Sequence, residues 1–228
     1  MPQTKPLRIA GSILAGDVLN LAGAIRICED AGADIIHLDI CDGHFVPTLS
    51  FGEEIVRRAC AATKLPCGVH LMVSRPQDWV DRMDGCGHVQ MSFHLEATSR
   101  AMGIVQAIRG KGVAPAIAVN PETPTAAVAP LLPYIDNVCI MGIAPGFAGQ
   151  QMLPTTPARV AEVAELIRQA GSSATIAVDG GVKAHNARAL VEAGADILLL
   201  SSGIFSHANP LESLNEVRQA VLGSEPRA

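Results

Sequence analysis

The chain has 228 residues, 49% of them hydrophobic, with a mean hydropathy of +0.30 and a formal net charge of -5. That size and apolar content allow a large buried core and exclude extended disorder as the main state. Negative charge without a basic cluster argues against nucleic acid and anionic membrane surfaces as partners, yet leaves room for a phosphorylated small molecule, because backbone N–H groups bind phosphate without lysine.

Short apolar runs alternate with amphipathic stretches along the chain. A strand at 7–13 precedes a helix at 17–31, a strand at 34–40 a helix at 52–62, and a strand at 66–72 a helix at 76–84. The pattern continues with strand 89–94 and helix 99–110, strand 113–120 and helix 124–130, and strand 135–141 and helix 157–170. Strand 174–179 with helix 185–193 and strand 196–201 with helix 210–222 complete it. Eight strands, each followed by a helix, fit a single closed (β/α)₈ TIM barrel. The competing open doubly wound sheet lacks a G-x-G-x-x-G after its first strand. The barrel domain is expected over 1–222, with 223–228 as a flexible tail.

Lys5 and Arg8 before Ile9–Leu14 have the outline of a signal peptide, but the apolar part is short and no clear cleavage site follows. No apolar run approaches the length of a membrane span. Cys28, Cys41, Cys60, Cys67, Cys86 and Cys139 are dispersed and include no C-x-x-C, which reads as reduced thiols in a cytoplasmic protein. An internal repeat, Glu29-Asp-Ala-Gly-Ala-Asp-Ile35 and Val191-Glu-Ala-Gly-Ala-Asp-Ile197, marks two copies of one joint in which glycine ends a helix and a short turn feeds a strand.

Chemistry in such a barrel gathers where the strands end. His37 and Asp39 lie two residues apart on the second strand and share a face. His70 stands near the end of the third strand and Asp179 ends the seventh. Two imidazoles and two carboxylates at one barrel mouth suit one divalent transition metal such as Zn, Fe, Mn or Co. Asp179-Gly180-Gly181, Ser201-Ser202-Gly203 and the loop Ala144-Pro-Gly-Phe-Ala-Gly-Gln150 offer backbone N–H groups for a phosphate. Lys5, Lys64, Lys111 and Lys183 all fall in loops or at element edges, against Schiff-base chemistry, and the D-x-K-x-x-D pattern of sugar-phosphate decarboxylases is absent. His94 and Glu96 read equally well as a pair supporting the site or as a plain polar layer. Met72 and Met141 read by themselves as core, and Asp42 and His44 as loop residues that either bond to the site or cap the loop.

These residues together resemble a known family. Ser12-Ile-Leu, His37-Leu-Asp39, Asp42-Gly-His-Phe-Val-Pro47, His70-Leu-Met-Val73, His94-Leu-Glu-Ala97, Pro145-Gly-Phe147, Gly149-Gln150 and Val178-Asp-Gly-Gly-Val182 are similar, in order, to the motifs of the ribulose-phosphate 3-epimerases. The resemblance implies an isomerase with a barrel of the ribulose-phosphate-binding type. It implies metal ligation by His37, Asp39, His70 and Asp179, and acid/base work by Asp39 and Asp179. It also implies substrate contact by Ser12, His70, Met72 and Met141, with Gly146, Phe147, Gly149, Gly180, Gly181, Ser201 and Ser202 in the surrounding loops. The implied reaction interconverts D-ribulose 5-phosphate and D-xylulose 5-phosphate in the pentose phosphate pathway, by 1,1-proton transfer through a metal-stabilised enediolate. A homo-oligomer is the implied assembly.

The chain departs from the family pattern at Gly11, where Pro is usual, at Cys41, where Met is usual, and at Ala144, where a polar residue is usual. Ala148 replaces a Gly, and Ser201-Ser202 replaces a Gly-Ser pair. Asn120-Pro-Glu-Thr-Pro, Pro145-Gly-Phe-Ala-Gly-Gln and Ser202-Gly-Ile-Phe-Ser-His207 also resemble allulose-6-phosphate 3-epimerases. A hexulose 6-phosphate, or a barrel that binds a sugar phosphate without turnover, are the alternatives.

Overall fold

Runs rich in Ile, Val and Leu, four to seven residues long, form eight parallel strands. They are β1 (Arg8–Ser12), β2 (Ile35–Cys41), β3 (Cys67–Met72), β4 (Gln90–His94), β5 (Ala114–Val119), β6 (Asn137–Met141), β7 (Thr175–Asp179) and β8 (Ile197–Leu200). The computed structural model describes residues 6–147 and 149–222. Each strand pairs with the next, and β8 returns to β1 with Arg8 opposite Ile197, so the sheet is a closed barrel. The expected tail at 223–228, Lys5 and the Ala148 departure lie outside the described residues.

The helices are α1 (Leu21–Asp30), α2 (Glu53–Ala61), α3 (Gln77–Arg82), α4 (Ala101–Gly110), α5 (Thr156–Gln169), α6 (Ala184–Glu192), α7 (Ser202–Phe205) and α8 (Pro210–Leu222). The helix expected at 124–130 is a 3₁₀ segment, Thr125–Leu131. Pro130 lies inside it and supplies no N–H for an α-helical bond. α1 begins at Leu21 rather than 17 because the Asn20 side chain accepts the Gly23 N–H and caps it there.

Alternation along the strands sorts side chains between two cores. Ile36, Leu38 and Ile40 point outward into the belt between barrel and helices, with Ile25, Val56, Ile104, Val160 and Leu190. Ile35 points inward with Ala10, Ala118, Cys139, Ala177, Ile197 and Leu199. His37 and Asp39, at even steps from Ile35, therefore enter the barrel interior. Truncating a fully buried belt residue such as Leu38 to Ala should cost about 2–5 kcal/mol, since the rigid barrel wall cannot collapse onto the cavity.

The internal repeat is a structural device at the N-terminal end of the barrel. Gly32 and Gly194 take φ of +81° and +115°, where a Cβ would be strained. The Asp34 backbone N–H then donates to the Ile9 carbonyl at 2.8 Å, and its carboxylate accepts the Ile9 N–H at 2.7 Å. Asp196 makes the same pair of bonds to Ile176, at 2.9 and 2.8 Å. All six cysteines are free thiols, and among the described residues no helix is long and apolar enough to cross a membrane.

Candidate active site

Parallel pairing of β2 with β3 sets Asp39 beside His70, and β7 brings Asp179 to the same end of the barrel. His37 Nε2 stands 3.2 Å from Asp39 Oδ1 and 4.0 Å from Asp179 Oδ2. His70 Nδ1 is 3.3 Å from each of the same two oxygens. One donor atom from each of the four residues falls within 4.8 Å of the others. The structure thus brings together all four residues singled out from the strand ends.

Three of these atoms, His37 Nε2, Asp39 Oδ1 and His70 Nδ1, are buried without a hydrogen-bond partner. Buried lone pairs facing one another are costly unless a proton or a cation stands between them. Two nitrogens and two carboxylate oxygens form a donor set suited to a divalent transition metal, so the residues fit such an ion. Burial works to raise the Asp39 carboxyl, but the imidazoles of His37 and His70 outweigh it and hold Asp39 well below the usual carboxylate range. Burial likewise opposes protonation of His70, yet the Asp179 and Asp39 carboxylates carry its value up to about 9. The remaining Asp39 oxygen, Oδ2, accepts the Ser12 hydroxyl at 2.6 Å.

Behind His70 the polar groups continue. His70 and His94 are both fully buried, their rings stacked, with Nε2 facing Nε2 at 2.9 Å. The far nitrogen of His94, Nδ1, faces Glu96 Oε2 at 3.4 Å. Burial would raise the Glu96 carboxyl, but contacts with His94, Thr123 and the Asn120 N–H lower it to about 2. His94 and Glu96 are therefore joined to the four-residue cluster through His70.

Above the cluster lies a cavity lined by Ser12, Asp39, Met72, Met141, Gly146, Phe147, Gly149, Asp179, Gly180, Gly181, Ser201 and Ser202. His70 sits beneath it, closed off from solvent. At Gly180 (φ +99°) a Cβ would come within 2.3 Å of the Ile143 side chain, and at Gly181 (φ +72°) within 2.5 Å of the Met152 backbone nitrogen. These two glycines are required by both conformation and space. The Ser201 hydroxyl is buried without a hydrogen-bond partner. Cys41 packs with Met72 and Val46.

The structure places Asp42 outside the cluster's contacts. Its carboxylate accepts the backbone N–H of His44, Phe45 and Ser74 and the Ser74 hydroxyl, so it caps its own loop and ties it to the one after β3. Two features escaped the sequence reading. Lys183 Nζ lies 3.5 Å from Ser202 Oγ, which sets a cation beside the loops after β7 and β8. The Thr48 hydroxyl donates to the Gly146 carbonyl and links the loop after β2 to the loop after β6. No local pattern marks the second, since its partners are 98 residues apart.

A closed barrel whose mouth gathers two imidazoles and two carboxylates under glycine- and serine-rich loops defines a (β/α)₈ enzyme with a metal-competent site. Comparison with known proteins narrows the class. The Ribulose-phosphate 3 epimerase family profile matches residues 8–205. The Ribulose-phosphate 3-epimerase of Treponema pallidum (strain Nichols) is 40% identical over 198 residues, covering 87% of this chain and 91% of that one. The Ribulose-phosphate 3-epimerase of Bacillus subtilis (strain 168) is 33% identical over 213 residues, covering 93% and 98%. Among solved structures, tryptophan synthase of Mycobacterium tuberculosis superposes with a TM-score of 0.69 at 14% identity, over 97% of this chain and 94% of that one, a likeness of fold alone. The chain belongs to the ribulose-phosphate 3-epimerase family and is an isomerase of the epimerase type.

Proposed function

We propose that the protein inverts C3 of a ketose phosphate, interconverting D-ribulose 5-phosphate and D-xylulose 5-phosphate by removing a proton from one face and returning one to the other. The observation that carries this reading is the pair Asp39 and Asp179, which reach the same His70 nitrogen at 3.3 Å from strands β2 and β7 beneath the loop-lined cavity. A pure binding protein has no use for two carboxylates so placed.

The C3 proton is only weakly acidic, and the charge left by its removal needs stabilisation. A divalent Zn, Fe, Mn or Co ion held by His37, Asp39, His70 and Asp179 would supply Lewis acidity toward the ketone and hydroxyl oxygens flanking the reacting bond. Asp39 and Asp179 serve as the two proton carriers, one ionised to accept and one protonated to donate. Both face His37 and His70, and the direction of reaction decides which accepts and which donates. Ser12, donating to Asp39 Oδ2, fixes that carboxylate's orientation. Met72 and Met141 line the cavity with thioether surface that excludes water from the reacting carbon. The loops at Gly180-Gly181 and Ser201-Ser202 take the phosphate on backbone N–H groups, with Lys183 adding positive charge beside Ser202.

In deuterated water each turnover should place one deuterium at C3 of the product, and epimerised product without solvent label would refute the proton-transfer mechanism. Comparing kcat/KM for D-ribulose 5-phosphate with that for D-allulose 6-phosphate on one preparation tests the substrate. A clear preference for the hexulose would replace the pentulose assignment while leaving the chemistry intact.

A further inference from the structure

We propose that the side-chain hydroxyl of Ser201 is a direct hydrogen-bond donor to the substrate's phosphate, in addition to the backbone N–H groups of the same loops. The inference rests on the sugar-phosphate reading above and deepens it, because it names a side chain that sets how tightly the phosphate end is held.

Ser201 follows β8 directly, and its backbone is already engaged. Its carbonyl accepts the N–H of Ile204 at 2.9 Å and that of Phe205 at 3.2 Å. Its side chain is not. A serine in front of a helix commonly turns its hydroxyl back onto the backbone, yet Ser201 makes no such bond to α7. The hydroxyl is buried and has no hydrogen-bond partner. Serine hydroxyls nearby do have one: Ser12 donates to Asp39 Oδ2, Ser213 donates to the Gly203 carbonyl, and Ser202 Oγ stands 3.5 Å from Lys183 Nζ. An unpaired buried hydroxyl is destabilising, and glycine would leave the same backbone N–H in place without it. Ser201 lies on the wall of the cavity above the metal-competent cluster, so a molecule in that cavity is what can pair with it.

The same wall is suited to an anion. Gly180 and Gly181 stand beside Ser201 on it, with φ of +99° and +72°, and carry no side chain between their backbone and a ligand. The Lys183 ammonium sets a positive charge next to Ser202. A hydroxyl offers one proton, and phosphate oxygens accept from many directions. Rotation about Cα–Cβ from one staggered position to another turns Oγ toward the cavity without moving the backbone.

The experiment is calorimetric titration with inorganic phosphate, paired with steady-state kinetics on D-ribulose 5-phosphate, for the parent, Ser201→Ala, Ser201→Gly and Ser201→Thr. Ser201→Ala and Ser201→Gly should weaken phosphate binding by about 10–100-fold, the worth of a hydrogen bond to a charged group. KM should rise by a similar factor with kcat nearly unchanged, because the contact is the same in the ground and transition states. Ser201→Thr keeps a hydroxyl and should recover most of the affinity. Without ligand, Ser201→Ala should melt no lower than the parent, since it loses an unpaired group, and phosphate should raise its melting temperature less. Equal phosphate affinity in the parent and Ser201→Ala would overturn the inference and leave the proposed function standing. A higher KM with unchanged phosphate affinity would assign the hydroxyl to the sugar and overturn it as well, as would a parent that binds no phosphate. A parent that binds phosphate but epimerises no ketose phosphate would remove the proposed function, while the phosphate affinities still decide for Ser201. Should Ser201→Ala fail to fold, Ser201→Gly supplies the same comparison.

Discussion

Two pairs of aspartates, one at each end of the barrel, meet opposite conditions. At the N-terminal end Asp34 and Asp196 each clamp a neighbouring strand with one backbone and one carboxylate bond, and Asp34 also receives Arg218 at 2.9 Å. At the C-terminal end Asp39 and Asp179 crowd against two imidazoles, and three buried polar atoms there lack hydrogen bonds. The first arrangement is satisfied within the chain and belongs to stability. The second is complete only with a proton, an ion or a ligand, and belongs to chemistry.

This contrast can be broken by substitution. Asp39→Asn or Asp179→Asn should lower kcat by about 10²–10⁴-fold, the usual contribution of a positioned proton carrier. The loss of kcat per folded molecule should far exceed any loss of melting temperature, although Asp39→Asn gives up the attraction of the two imidazoles that holds this carboxyl low. The same variant should keep much of its metal. A matching loss of stability would show that the mouth pair is structural after all. Metal removal comes next: dialysis against a chelator should abolish turnover, and Zn, Mn, Fe or Co should restore it. Full activity in verified metal-free protein would refute the metal site.

The other end should respond in the reverse sense. Asp34→Ala or Asp196→Ala leaves a buried strand N–H without its acceptor and should cost about 1–3 kcal/mol in urea unfolding, with kcat per folded molecule unchanged. The smallest effect concerns Asp42. Burial would raise its carboxyl, but bonds from Ser74, His44 and Phe45 lower it to about 2. A folded value below the unfolded one gives stability that is present above about pH 4 and lost as pH falls through about 2. Asp42 is only half-buried, so solvent screening should keep the loss below about 1 kcal/mol, and Asp42→Asn should flatten that part of an acid titration of stability.

Most of the barrel was legible because each strand carries its own signal. Eight apolar runs separated by amphipathic stretches need no long-range information, and every predicted strand lies within two residues of its observed bounds. The segment Thr125–Leu131 departs from the expected α-helix because its apolar spacing is helical while Pro130 interrupts the α-helical bonding. The four-residue cluster was legible for a related reason: once a barrel is inferred, strand ends must converge, so His37, Asp39, His70 and Asp179 could be placed without coordinates. The connection of His94 to His70 could not, because it depends on rotamers and ring orientation across two strands. Cross-loop contacts such as Thr48 to Gly146 follow only from how the closed barrel brings its loops together.

Closure of β8 onto β1 bears on the life of the chain before it is finished. The site draws on Ser12 near one end and Ser202 near the other, with ligands from β2, β3 and β7 between. No shorter stretch of the sequence holds a working portion. During synthesis the four charged or imidazole groups remain scattered, and the activity arrives only when the last strand docks. Recovery of turnover in a refolding experiment therefore reports ring closure, a late event that helix content registers poorly.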